Sequence, residues 1–139
     1  MDEQKKDEVS TDVASTLIDY DTFKKVEITL GKILSAEKIE GSDKLLKLQV
    51  SFGLKPSVGT DGSPSLPEME VRQILSGIQK YFPDESVLVG QKCMFVTNLL
   101  PRKMMGLESN GMLFALGGGD VPFSLLKADD SVPEGTKAN

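Results

Sequence analysis

The stretch Val26-Glu-Ile-Thr-Leu-Gly-Lys-Ile-Leu-Ser-Ala-Glu-Lys-Ile39 decides the fold. Val26, Ile28 and Leu30 alternate with Glu27, Thr29 and Gly31, the period of two that a half-buried strand produces. Gly31 then interrupts the run, and Ile33 to Ile39 reads as a continuation beyond a bend. A glycine inside a long strand marks a bulge or sharp turn of the backbone, which a small barrel needs where one strand serves both halves of its sheet.

On the N-terminal side, Asp19 to Lys25 suits a short helical turn over one end of such a barrel, with Asp19 or Asp21 near its start. On the C-terminal side, Glu40-Gly-Ser-Asp43 has turn composition. Lys44 to Phe52 follows with the cleanest alternation in the chain, Leu46, Leu48, Val50 and Phe52 against Leu45, Lys47, Gln49 and Ser51, and forms a second strand. Gly53 to Met69 is rich in Gly, Pro and Ser without a period and reads as a flexible surface excursion. Glu70 to Ile78 gives a third strand and its exit, Gln79 to Phe82 a helical turn, Lys92 to Thr97 a fourth strand and Met112 to Leu116 a fifth. Pro83, Asp84 and Gly90 bracket a connection, Gly117 to Asp120 is a turn, Phe123 to Leu126 an apolar cluster, and Val132 to Lys137 an extended end. Five such strands with a bent first one indicate an all-β protein, a small barrel or sandwich.

At 139 residues the chain accommodates one domain with its own core plus a tail. We divide it into an acidic disordered tail or linker over residues 1–18 and a domain over 19–139. The tail fits either a mobile end or a tether to an upstream enzyme. Residues 1 to 23 hold seven acids against two lysines, which accounts for the whole net charge of -5. Residues 44 to 107 carry eight bases and five acids, so the middle of the chain can present a basic face on an acidic protein. Histidine is absent and Cys93 is the single cysteine, which removes the usual general base and the donors of a zinc site. No cofactor or metal is expected. No apolar run reaches membrane-spanning length and no basic-then-apolar leader opens the chain, so the expectation is a cytoplasmic protein without a membrane partner.

Catalytic groups are scarce. Asp129 and Asp130 are adjacent and would face apart in a strand, and Gly117 to Gly119 lacks the Lys and Ser or Thr of a phosphate-binding loop. The segment between the fourth and fifth strands is richer: Asn-Leu-Leu-Pro-Arg-Lys-Met-Met-Gly-Leu-Glu-Ser-Asn-Gly-Met, residues 98 to 112, places Arg102 and Lys103 after a proline in a connection fixed at both ends. A solvated loop is the ordinary reading of such a pair; contact with a folded polyanion is the functional one.

Asn98, Leu99, Pro101, Lys103, Gly106, Ser109, Gly111 and Met112 match the signature of the tRNA-binding domain family. That family occurs in endothelial-monocyte-activating polypeptide II, at the C-terminus of many methionyl-tRNA synthetases and in small stand-alone bacterial proteins. Further family-like pieces lie in the right order, Phe23 to Val26, Gly31 to Ile33, Ser42 to Leu46, Arg72 to Ile78 and Val132 to Lys137, so the chain resembles the family over about residues 20 to 137.

The resemblance implies an OB-fold, a five-stranded Greek-key barrel with short helical turns and a C-terminal extension, binding across one face and its flanking loops. It implies binding to folded tRNA with little dependence on tRNA identity, either alone or appended to a methionyl-tRNA synthetase in cis or in trans, and a homodimer as in bacterial members. The candidate tRNA contacts are Lys32, Ser42, Lys44, Arg72, Ser76, Asn98, Arg102, Lys103 and Ser109, cations for phosphates and the polar groups for phosphate or ribose. Met112 is expected in the core. Thr29 stands where many members have arginine, a departure that bears on binding strength or on the dimer contact. The absence of tryptophan, with Tyr81 the one tyrosine inside the barrel region, leaves few stacking platforms for splayed bases and favours recognition of RNA shape. Two alternatives remain, a protein-interaction or chaperone-like module of the same fold and a purely structural dimerisation domain.

Overall fold

The computed structural model describes residues 16–58, 62 and 64–139; most of the acidic segment and part of the 53–69 excursion lie outside them. A single turn of helix, α1 (Tyr20–Phe23), opens the fold, with the Asp19 carboxylate accepting from the Thr22 N–H at 2.7 Å. Five antiparallel strands then form one curled sheet: β1 (Ile28–Lys38), β2 (Leu46–Val58), β3 (Pro64–Ser76), β4 (Lys92–Val96) and, after the short hairpin β5 (Arg102–Met104) and β6 (Leu107–Ser109), β7 (Met112–Leu113). Their order is β3-β2-β1-β4-β7, and a second hairpin, β8 (Ala115–Gly118) and β9 (Val121–Leu125), follows. This is the OB-type half-barrel that the family resemblance implies. Among the described residues no helix is long and apolar enough to cross a membrane.

β1 has two sets of partners. Its first half, Ile28 to Lys32, pairs with β4, and its second half, Lys32 to Lys38, pairs with β2. Where β2 leaves its edge, the C-terminal segment replaces it: the Leu30 N–H donates to the Thr136 carbonyl, and the Gly135 and Ala138 N–H groups donate to the Leu30 and Ile28 carbonyls, each at 2.8 Å. The extended end read at Val132 to Lys137 therefore completes the sheet. The expected bulge lies a little beyond the glycine, where the register shifts between Ile33 and Ser35. Gly31 serves packing instead. A Cβ there would stand 2.6 Å from Val50 Cγ1, 2.7 Å from Phe52 Cε1 and 3.0 Å from Phe95 Cδ1, so the core presses on the backbone itself.

The alternation at the start of β1 marks the face of the sheet opposite the main core cluster. Thr29 pairs with Phe95 and Gly31 with Cys93, and Phe95 and Cys93 belong to the core cluster with Ile33, Leu46, Leu48, Val50, Ile74 and Leu113. Ile28 and Leu30 consequently lie on the opposite face alongside Met94 and Val96, where Leu30 and Val96 are themselves buried. The same parity corrects Met112: it pairs with Val96 on that opposite face and is 45% exposed, while Leu113, opposite Phe95, takes the core position.

The 53–69 excursion is largely a continuation of the β2–β3 ribbon, with Leu54 opposite Met69 and Lys55 opposite Glu68. Two register shifts break its period, and Leu54 and Met69 are both exposed, so no core-facing alternation shows in the sequence. The fifth strand is also shorter than expected, because the chain passes from β7 through Phe114 into the separate β8–β9 hairpin. On that hairpin Phe123 stacks on Tyr81 with ring centroids 4.5 Å apart, and Phe82 meets it edge-on.

The crowding around Gly31 gives a direct test. Gly31→Ala should lower the unfolding free energy by about 1–3 kcal/mol in urea titration, the usual cost of an overpacked core.

Candidate nucleic-acid interface

The segment read as a single loop contains a hairpin. β5 and β6 pair Arg102 with Ser109, Lys103 with Glu108 and Met104 with Leu107. The turn between them is Met105-Gly106, with φ of 53° and 76°; positive φ at both central residues is the mirror-image turn that matches strand twist. Arg102 and Lys103 are exposed, and among the described residues no carboxylate lies within ion-pairing distance of either. Five other cations behave differently: Lys38, Lys47, Arg72, Lys92 and Lys137 are each paired with a glutamate.

Several polar groups brace this hairpin against β3. The Asn110 N–H donates to the Gln73 carbonyl at 2.8 Å, the Gln73 side-chain amide donates to the Glu108 carbonyl at 3.0 Å, and the Leu75 N–H donates to Ser109 Oγ at 2.9 Å. Together they close the gap between β3 and the far side of the sheet. At its tip the hairpin reaches the β1–β2 turn, where Met105 Cε lies within 3.5 Å of the position a Gly41 Cβ would occupy. That turn is held by Ser42 Oγ, which accepts from the Lys44 and Leu45 N–H groups at 3.2 and 3.1 Å. The Gln79 N–H donates to the Lys44 carbonyl at 3.1 Å, which brings Lys80 beside Lys44 around a shallow depression also lined by Asp43, Leu45 and Gly77. Lys80 was not among the sequence candidates; its only signal was its place in the helical turn after the third strand.

The structure thus divides the sequence candidates. Lys44 stands exposed in the β1–β2 turn and Arg102 and Lys103 on the hairpin that contacts that turn. Ser76, half-buried at the end of β3 opposite Leu46, lies next to Gly77 at the same rim. Lys32 does not join them. It lies in β1 between Ser51 and Lys92, on the outer face where the C-terminal segment passes. For four candidates the protein itself takes the polar atoms that were expected to meet RNA. Ser42 Oγ caps its own turn. Ser109 is 3% exposed and its hydroxyl also donates to the Gly111 carbonyl at 3.1 Å. Asn98 accepts from the Glu27 N–H at 2.8 Å and donates to the Lys25 carbonyl. Arg72 donates from Nε to Glu70, with Nη2 ion-paired to the same carboxylate, and from Nη1 to the Thr97 carbonyl at 2.6 Å.

A second concavity, about 410 Å³, opens where β2 diverges from β1, and its lining includes Glu27, Thr29, Phe52, Arg72, Thr97 and Lys137. Thr29 and Thr97 are buried and share a hydroxyl–hydroxyl hydrogen bond of 2.8 Å. Thr97 Oγ1 also reaches Glu27 Oε1 at 3.0 Å, and Lys137 Nζ pairs with the same carboxylate at 3.1 Å. Lys137 first and Thr97 second hold the Glu27 carboxyl below its ordinary range. Glu134 is also lowered, chiefly by a hydrogen bond from its own backbone N–H and further by Lys92. Burial pushes the Cys93 thiol up to about 11, which suits an inert core residue.

The curled five-stranded sheet with a cationic rim at one end defines a binding module of the OB type. The sequence profile described as "Putative tRNA binding domain" matches residues 65–137, and the chain belongs to that family. It is 39% identical over 138 residues to the methionine–tRNA ligase of Caldanaerobacter subterraneus subsp. tengcongensis, a match covering 97% of this chain and 19% of the ligase. The chain therefore spans about a fifth of that relative's length, and the part matched is a binding module. Among solved structures, the MetRS-related protein from Pyrococcus horikoshii superimposes with a TM-score of 0.72 at 35% identity, covering 88% of this chain and 97% of that one. The chaperone CsaA of Bacillus anthracis shares the fold with a TM-score of 0.67 at 20% identity, over 89% of this chain and all of the other.

The Glu27–Lys137 pair ties the C-terminal segment to the sheet. A carboxyl whose folded pKa is depressed contributes stability that is present above its ordinary value of 4.5 and lost as pH falls through the folded value. Melting temperature should therefore drop as pH is lowered from about 5 towards 3. Lys137→Ala should lower it near neutral pH and make less difference at acid pH; a difference that is constant with pH would contradict this.

Proposed function

We propose that this module binds tRNA through the cationic rim formed by Arg102 and Lys103 on the β5–β6 hairpin and by Lys44 and Lys80 beside the β1–β2 turn. The observation that carries the reading is the pairing state of the cations: those on the hairpin are exposed and, among the described residues, without carboxylate partners, on a support hydrogen-bonded to the barrel. Such groups can exchange counterions for phosphates without first breaking an internal ion pair. Aromatic platforms are lacking at the rim, where Lys80 instead lies 5.2 Å over the Tyr81 ring and that ring is stacked on Phe123. Recognition accordingly rests on the shape and backbone of a folded RNA. Within a synthetase, in cis or in trans, the module would hold tRNA near the catalytic part and raise its local concentration. The cytoplasm is the compartment such a role requires.

Homodimerisation belongs to the same reading. The face of β1, β4 and β7 opposite the main core carries Ile28, Met94 and the 45% exposed Met112 around the buried Leu30 and Val96, with Phe114 40% and Val26 46% exposed beside them. An apolar sheet face of this kind suits a self-complementary contact.

Fluorescence anisotropy with labelled tRNA and an unstructured RNA of equal length, at several salt concentrations, tests the RNA reading. Binding should favour tRNA and weaken with salt, and Arg102→Ala/Lys103→Ala should reduce the slope of log affinity against log salt by roughly 1–2. Equal binding of both RNAs, or an unaltered variant, would overturn it; salt-insensitive capture of unfolded protein would favour the chaperone-like alternative. In sedimentation equilibrium the native chain should be dimeric and Met112→Glu monomeric, and a native monomer would remove the dimer from the account.

A further inference from the structure

We infer that Arg72 and Glu70 form a positioning clamp for the cationic hairpin, and that the Arg72 guanidinium acts on RNA binding without touching RNA. The inference rests on the tRNA reading above.

Arg72 is the arginine that chemistry alone would nominate as a bidentate phosphate ligand. Its surroundings assign it elsewhere. Nε donates to Glu70 Oε2 at 2.9 Å, and Nη2 is ion-paired with the same oxygen at 2.8 Å. Nη1 donates to the Thr97 carbonyl at 2.6 Å and, with longer geometry, to the Asn110 carbonyl at 3.4 Å. The guanidinium also lies 5.4 Å over the Phe52 ring. Every guanidinium nitrogen is thus engaged, and the side chains of Arg72 and Glu70 are only 28% and 24% exposed.

The two carbonyls matter because of where they stand in the chain. Thr97 directly precedes the segment that carries Arg102 and Lys103, and Asn110 follows its second strand, so one nitrogen spans both ends of the hairpin segment. Glu70 orients that nitrogen from the β3 side, and the Gln73 and Ser109 hydrogen bonds carry the same registration along the hairpin. Planarity makes the arrangement specific to arginine: a lysine ammonium cannot hold a carboxylate on one edge and two carbonyls on another. A phosphate entering here would have to displace Glu70, and with it the group that orients Nη1 toward both ends of the segment that presents Arg102 and Lys103.

The alternative, that Arg72 is itself a phosphate contact partly masked by Glu70, predicts the opposite sign for one variant. Freeing Arg72 by Glu70→Gln would then strengthen tRNA binding. A clamp predicts that Glu70→Gln weakens it, by roughly fivefold to twentyfold, as does Arg72→Gln. Salt dependence separates the two again. Loss of a phosphate contact lowers the slope of log affinity against log salt by about 1, whereas loss of a positioning group leaves the slope unchanged.

The experiment measures tRNA affinity from about 50 to 300 mM salt for the native chain, Glu70→Gln, Arg72→Gln and Arg102→Ala/Lys103→Ala, with amide hydrogen exchange of the RNA-free proteins. The expected result is weaker binding at unchanged slope for Glu70→Gln and Arg72→Gln, with faster exchange over residues 102–109. Tighter binding by Glu70→Gln, a slope lowered by about 1 in Arg72→Gln, or native exchange rates in the hairpin would overturn the clamp. Should Arg102→Ala/Lys103→Ala bind like the native chain, the tRNA reading fails on its own, and the exchange rates still decide whether Arg72 holds the hairpin.

Discussion

The fold depends on one strand satisfying two sets of partners. β1 gives its second half to β2 and its first half to β4 and the C-terminal segment, and the two regimes meet around Lys32. At that crossing Val50, Phe52 and Phe95 come so close to residue 31 that only a hydrogen fits in place of a side chain. The curl follows from this geometry, because the sheet changes partners along a strand instead of ending. Once β2 has peeled away, its freed ribbon and the returning C-terminus leave the concavity in which Thr29 and Thr97 share their hydrogen bond.

The curl in turn decides what the 98–112 segment can be. It lies between β4 and β7, across the opening that faces β3, and the hydrogen bonds from Gln73, Leu75 and Arg72 make it part of the barrel wall. A wall element holds its cations in a fixed geometry at little entropic cost on binding, unlike a solvated loop of the same composition. That is the link between the packing and the proposed chemistry. The residues around the rim divide into exposed charges that can meet a ligand and buried or paired groups that hold those charges in place.

Much of this was legible in the sequence, for reasons that can be named. The alternation from Leu46 to Phe52 tracks the core face of β2 because those residues meet the cluster directly. β1 misleads over its first half: the positions facing the main core cluster there are Thr29 and Gly31, a hydroxyl residue and one without a side chain, while Ile28 and Leu30 lie on the opposite face and only Ile33, farther on, enters the cluster. An outer face that is also apolar reverses the apparent polarity of a strand, and Met112 was assigned to the core for the same reason. The β5–β6 hairpin was invisible because its strands are three residues long and its positive-φ turn is Met-Gly, lacking the Asn-Gly or Asp-Gly signal. Among the rim residues, Lys44, Arg102 and Lys103 are candidates in the sequence through composition and family resemblance, whereas Lys80 is not. The sequence could not show that Ser109, Asn98 and Arg72 spend their hydrogen bonds within the protein, since the same donors and acceptors serve a phosphate or a backbone carbonyl equally well.

The central claim is that RNA meets the rim around residues 41–45, 77–80 and 102–108, and not the concavity at the other end of β1. Amide chemical-shift mapping of the labelled protein during titration with tRNA tests it most directly. The account predicts the largest changes at those three segments, with residues 27–29 and 134–137 nearly unmoved. Changes centred on Glu27, Thr29 and Lys137, with the hairpin silent, would contradict it.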